Sequence, residues 1–128
     1  MSDTRHSFHR VHHVQVGMPP GQEDTARTFY ARVLGLAEVR KPSALALRGG
    51  VWFHTNGVEL HLGAELDFRP ARKAHPAFAV DRLESLAAHL AVHGVPPRWD
   101  GDYPGHRRFY ADDPFGNRLE FLEPRKAA

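Results

Sequence analysis

Two stretches of the chain carry apolar residues at helical spacing. Ala26, Phe29, Tyr30, Val33 and Leu34 fall at i, i+3, i+4, i+7 and i+8, and Leu83, Leu86, Ala87, Leu90 and Ala91 repeat the interval. That spacing puts one apolar stripe on each of two helices. Gly35 and Gly94 come next as stops that tolerate a positive φ. Pro19-Pro20-Gly21 breaks the chain ahead of the first helix. Asp81, with Glu84 three residues on, reads as the N-cap of the second.

The remaining segments read as strands. Val11–Met18 leads into the first helix and His75–Val80 into the second. After the first helix come Ala37–Arg40, Ala44–Arg48, Val51–His54 and Val58–Leu62. Gly49-Gly50 and Asn56-Gly57 separate the last three, and Asn-Gly predicts a tight hairpin. After the second helix come Pro96–Trp99, Arg107–Ala111 and Arg118–Leu122. Each half therefore reads as strand, helix and about three strands. The halves also match in detail. His13 and His75 open their halves 62 residues apart, and Glu59 and Glu120 lie 61 apart near their ends. The His-to-Glu spacing is 46 residues in one half and 45 in the other. A period near 60 predicts a duplicated βαβββ unit. We read one α+β domain over residues 1–128, with modules 9–64 and 74–124 joined by a linker at 65–73.

Strand alternation assigns the faces. Val58, Leu60 and Leu62 share one face, and Glu59 and His61 the other. Leu119 and Phe121 oppose Glu120, Val14 and Val16 oppose His13 and Gln15, and Phe78 and Val80 oppose His75. Each apolar set packs on its helix. The polar sets share the opposite face, where a curled sheet would gather two His and two Glu.

Composition narrows the chemistry. With 128 residues, 41% of them hydrophobic and 25% charged, the chain suits one globular domain. The longest apolar runs, such as Ala44–Leu47, are far short of a membrane span. The opening MSDTRHSFHR has no apolar signal segment, so a cytoplasmic location is expected. There is no cysteine, so any metal must be held by His and carboxylate. The net charge is +2 and Lys and Arg are scattered, so no nucleic-acid partner is expected.

His13, Glu59, His75 and Glu120 suit a divalent ion of borderline or hard character, whether Zn, Ni, Fe, Mn or Co. Such a set leaves open positions for substrate, a Lewis-acid arrangement. His61 shares the face of Glu59 and competes for its place. Gln15, beside His13, reads as a substrate or outer-shell contact. Trp52, Phe53, Trp99, Phe109 and Tyr110 read first as core and second as pocket lining. Arg107 and Arg108 read as ion-paired surface, with an anionic substrate as the alternative. His89 and His93, at i and i+4 off the apolar stripe, read as a solvated face. His6, His9 and His12 lie near the terminus.

The pattern resembles the vicinal oxygen chelate superfamily, which includes glyoxalase I, bleomycin-resistance proteins and extradiol dioxygenases. The resemblance runs from about His12 to Pro124. It is carried by His12-His13-Val14-Gln15-Val16, by Phe29-Tyr30 with Val33-Leu34-Gly35-Leu36, by Gly57-Val58-Glu59-Leu60-His61-Leu62, and by His75-Pro76-Ala77-Phe78. The last piece is Asp113-Pro114-Phe115-Gly116-Asn117-Arg118-Leu119-Glu120. The family implies paired βαβββ modules, each curling its sheet into half of an open barrel. It implies His13, His75 and Glu120 as ligands shared by most metal-using members, and Glu59 as the fourth ligand of the glyoxalase I type. It implies a divalent metal, a small oxygenated substrate and proton transfer by Glu59 or Glu120, in an isomerase, lyase or dioxygenase type of reaction. A homodimer is expected, because open sheet edges need covering and family members commonly complete each site with modules from two chains. The alternative is a metal-free drug- or metabolite-binding protein of the bleomycin-resistance kind.

Overall fold

The structure is a computed structural model that describes residues 4–126. Strand β1 (Val14–Met18) precedes helix α1 (Glu23–Arg27), which runs on as a π-helix over Thr28–Val33. Then come β2 (Ala37–Val39), a single helical turn α2 (Ser43–Ala46), β3 (Val51–Thr55) and β4 (Val58–Ala64). The second half runs β5 (Ala77–Ala79), α3 (Leu83–Val92), β6 (Arg98–Asp100), β7 (His106–Asp112) and β8 (Arg118–Pro124). Each half forms one four-stranded sheet, in the orders β1-β4-β3-β2 and β5-β8-β7-β6. The first strand of each half pairs parallel with the last, and the other pairs are antiparallel. This is the α+β architecture of two unclosed sheets expected from the sequence.

The core joins the two halves. Val16, Leu60 and Leu62 of the first sheet and Phe109, Leu119 and Phe121 of the second are buried in one apolar cluster with residues of both helices. The face assignments from alternation hold: Leu60 and Leu62 are buried, while Phe78 and Val80 pack on the cluster. Asn56 and Gly57, at φ 43° and 82°, turn β3 into β4 as the Asn-Gly pair required. Gly50 is required for a different reason. Its φ is +88°, and a Cβ there would lie 2.0 Å from the carbonyl oxygen of Leu62.

Three local expectations need correcting. Ala44–Arg48, read as a strand, belongs to helix α2 and the turn directly after it. Ala44, Ala46 and Leu47 are exposed, so the segment has no sheet to complete. Asp81 does not cap α3. The capping position is Arg82, held left-handed at φ 56°, whose own side chain makes no cap hydrogen bond; the Leu83 N–H donates instead to Glu123 of β8 at 3.4 Å. Glu84 instead pairs with Arg107 of β7. The outer strands are also shorter than read, so His13 lies just ahead of β1 and His75 two residues ahead of β5.

A buried polar clasp ties the modules. Asp113 accepts hydrogen bonds from the Tyr30 hydroxyl (2.7 Å), from Asn117 Nδ2, and from the backbone N–H groups of Phe115 and Asn117. Asn117 in turn donates to the Gly17 carbonyl of β1 (2.8 Å) and accepts from the Ala71 N–H of the linker (3.0 Å). Burial, then the Asp113 charge, pushes the Tyr30 hydroxyl pKa well above its ordinary value. The run Asp113–Asn117 is therefore a structural joint between the π-helix, β1, the linker and the β7–β8 turn.

Candidate metal centre

The polar face of the first sheet is built on the β1–β4–β3 register. Gln15, His61 and Trp52 stand side by side across the three strands. Glu59 lies one step along β4 on the same face. Alternation makes His61 and Glu59 neighbours, and His61 Nε2 lies 3.0 Å from a Glu59 carboxylate oxygen. The His61 ring is buried between two others: Trp52 stacks on it at 3.9 Å and His13 at 4.2 Å. Burial pushes the His61 pKa down, and the His61 hydrogen bond holds the Glu59 carboxyl below the usual range.

His12 joins this group. Its Nδ1 lies 3.1 Å from His13 Nδ1 and 3.9 Å from Glu59. His12, His13 and Glu59 offer three ligand atoms within 4.8 Å of one another, and among the described residues they are the only trio that does so. Thus His13 and Glu59 meet as the spacing suggested. His61, the competing candidate, contacts Glu59 and lies outside the trio.

The second sheet repeats the arrangement with different neighbours. His75 Nε2 lies 2.7 Å from Glu120 Oε1, and Glu120 is buried. The other ring nitrogen, Nδ1, is 2.7 Å from the Lys73 carbonyl. That carbonyl can only accept, so Nδ1 carries a proton. Nε2 therefore meets the Glu120 carboxylate through a proton of its own or through a metal ion held between the two. Glu120 faces Tyr110 of β7 in register, and Arg108 approaches its second oxygen at 3.4 Å. Arg108 is committed more closely to Asp100, at 2.7 Å.

The His75–Glu120 pair is not part of the His12–His13–Glu59 group. Two cavities, of about 590 and 490 Å³, lie between the modules; none of the four expected ligands lines either. Each half-site sits instead on an open sheet face. His13, Gln15, Ala77 and Ala79 are exposed there.

Other expected positions sort cleanly. Phe53 and Phe109 are core, Trp52 and Tyr110 stand on the site faces, and Trp99 lies exposed beneath Arg107. His89 is exposed, yet its Nε2 reaches the Val33 carbonyl at 2.7 Å, so it links α3 to the end of the π-helix. Sequence reasoning placed His12 only near the terminus, and passed over the Lys73 carbonyl and Arg118. Arg118 had a signal, since it precedes Glu120 by two residues on one strand and so shares its face.

Fold and site together define a protein of paired βαβββ modules carrying a His–Glu pair on each sheet. Residues 10–121 match the family model described as the Glyoxalase/Bleomycin resistance protein/Dioxygenase superfamily, and the chain belongs to that superfamily. Among solved structures it is similar to a protein from Bacillus anthracis described as a glyoxalase family member. The two are 42% identical with a TM-score of 0.92, over 95% of this chain and 100% of that one. A glyoxalase/dioxygenase from Nostoc punctiforme shares 22% identity at a TM-score of 0.73, over 91% and 92%. A lactoylglutathione lyase from Agrobacterium tumefaciens shares 21% at 0.64, over 86% and 91%. These last two likenesses speak for the fold alone. No protein of curated function matches the chain.

Proposed function

We propose that this chain is a divalent-metal-dependent enzyme of the glyoxalase-like type, acting on a small oxygenated substrate. Its metal ligands are His13, Glu59, His75 and Glu120. The observation that carries the reading is the His75–Glu120 pair: an imidazole nitrogen and a carboxylate oxygen, both metal-ligand atoms, face each other at 2.7 Å, with His75 anchored from behind by the Lys73 carbonyl. The donor set fits a Zn, Ni, Fe, Mn or Co ion, being two imidazoles and two carboxylates without thiolate. Such an ion supplies Lewis-acid polarisation of substrate oxygens.

The chain's own residues supply the rest. Glu59 and Glu120 each stand at the head of a polar sheet face, where a carboxylate oxygen can take a proton from substrate carbon or oxygen and return it. The neutral His61 holds Glu59 in place through their hydrogen bond. Trp52 backs the first pair by stacking on His61, and Tyr110 stands beside the second, edge-on to His75. Because the pairs belong to separate groups within one chain, we assign each complete site to two chains of a homodimer. The first module of one chain would face the second module of the other.

Metal analysis of untagged protein purified without chelators tests the reading. About one ion per chain, or uptake to that level from added Zn²⁺, Ni²⁺, Mn²⁺ or Fe²⁺, supports it. Less than about 0.2 ion per chain with no uptake would favour the second reading, a binding protein without chemistry. The Trp52–His61–His13 stack gives that second reading its support, since three parallel or near-parallel rings can extend onto a flat ligand.

A further inference from the structure

Three arginines share the polar face of the second sheet, and two of them are spoken for. Arg98 pairs with Asp112 at 2.9 Å. Arg108 pairs with Asp100 at 2.7 Å and approaches Glu120. The third, Arg118, has no carboxylate partner and no side-chain hydrogen bond among the described residues. Asp112, its neighbour across the β7–β8 register, is the residue taken by Arg98. The Arg118 guanidinium lies over the Tyr110 ring at 4.8 Å, and its Nε is buried with no acceptor. The opposing guanidinium of Arg108 lies 5.2 Å from the same ring, and the His75 ring meets it edge-on at 5.4 Å. A half-buried, permanently charged fork thus stands on the same strand face as Glu120, two residues along.

A guanidinium is planar and presents its N–H groups as a fixed fork, the geometry that a carboxylate meets with two parallel hydrogen bonds. Only one fork is free here, and Glu120 puts a negative charge close by. Both facts favour a planar monoanion over a phosphoryl dianion. We propose that Arg118 binds the carboxylate of the substrate, so that the site takes small oxygenated acids. This deepens the metal-enzyme reading and rests on it for the word substrate, but the carboxylate contact can be measured with or without a metal ion.

Lactate and lactamide are matched probes, alike in size and differing in the acid group. The Arg118 Nε–H resonance of isotope-labelled parent protein is followed during titration with each, in zinc-loaded and chelator-treated samples. Lactate should shift this resonance and lactamide should not. Arg118→Gln should weaken lactate binding at least about 10-fold and leave lactamide unchanged, and Arg118→Lys should recover part of the loss. Where Arg118→Gln folds poorly, the parent's own resonance decides. Equal responses to the two probes, or no response of Arg118, overturn the proposal. Tighter Arg118-dependent binding of inorganic phosphate than of lactate overturns the choice of carboxylate. Failure to take up zinc with lactate discrimination intact sinks the metal reading and sustains this one. Zinc uptake without discrimination does the reverse.

Discussion

At the residue scale, the four expected ligands differ in their surroundings, and their substitutions should differ accordingly. Glu120 is buried against His75 and Arg108, whereas Glu59 is partly exposed. His13→Ala, His75→Ala and Glu120→Ala should each weaken Zn²⁺ binding by more than about 10-fold while the thermal transition stays cooperative. Unchanged metal content in all three would place the site elsewhere. Glutamine keeps an oxygen but cannot accept the proton, so Glu59→Gln should cost more turnover per bound ion and Glu120→Gln more metal. General-base loss of this kind amounts to roughly 10²–10⁴-fold. Turnover on any substrate the parent accepts, normalised to metal content, ranks the two. Tyr30 makes a separate prediction. Its pKa is raised, so in the folded chain the hydroxyl stays neutral at pH values where an unfolded tyrosine ionises. Stability is therefore full below about pH 10 and falls as pH rises through that value. Tyr30→Phe should remove this tyrosine's share of the alkaline loss, and should cost about 1–3 kcal/mol at neutral pH by leaving Asp113 short of a donor. Urea titrations from pH 7 to 11 measure both effects.

At the scale of elements, the molecule depends on a few residues that fix neighbouring backbone segments against each other. Asn117 is the first. Its amide satisfies the Gly17 carbonyl and the Ala71 N–H at once, one group in β1 and one in the linker. Asn117→Ala leaves both without this partner, and a loss of roughly 1–3 kcal/mol is expected from two part-buried groups. A change within ~0.5 kcal/mol by chemical denaturation would mean that the clasp is not the joint between the modules. Gly50 is the second. A methyl group at 2.0 Å from the Leu62 carbonyl oxygen cannot be absorbed by a flexible side chain. Gly50→Ala should therefore disturb the β3–β4 pairing that sets His61 beside Trp52, and circular dichroism with tryptophan emission would report it. The turn at Asn56-Gly57 was legible from two letters because its positive φ angles need those residues. Helix α2 was not. Ala44–Arg48 carries a short apolar run that suits either a strand or a helical turn, and only the exposure of that segment decides between them.

At the scale of the whole molecule, the His12–His13–Glu59 group and the His75–Glu120 pair stand as separate half-sites among the described residues. Sedimentation at micromolar concentration should show a dimer, and a monomer throughout that range would contradict the shared site. A sharper check mixes two inactive chains. One carries His13→Ala with Glu59→Ala, the other His75→Ala with Glu120→Ala. If sites form between chains, a mixed dimer keeps one site with all four ligands, so unfolding and refolding the chains together should restore zinc binding to at most one ion per dimer. If sites form within a chain, no mixture restores any.

The repeated His and Glu, the two amphipathic helices and the period near 60 all depend on spacing along one strand or helix, and spacing is a property of the sequence alone. Spacing was enough for the duplicated βαβββ plan, the open α+β sheets, and the face on which Glu59, His61 and Glu120 stand. Alternation decides which face a side chain shares, but not which partner waits for it there. That His12 joins His13 and Glu59, that Lys73 anchors His75 from behind, and that Asp112 goes to Arg98 and leaves Arg118 unpaired were decided by the tertiary structure. Each depends on which of several nearby groups reaches a partner first, a competition between residues far apart in the chain that no local period records.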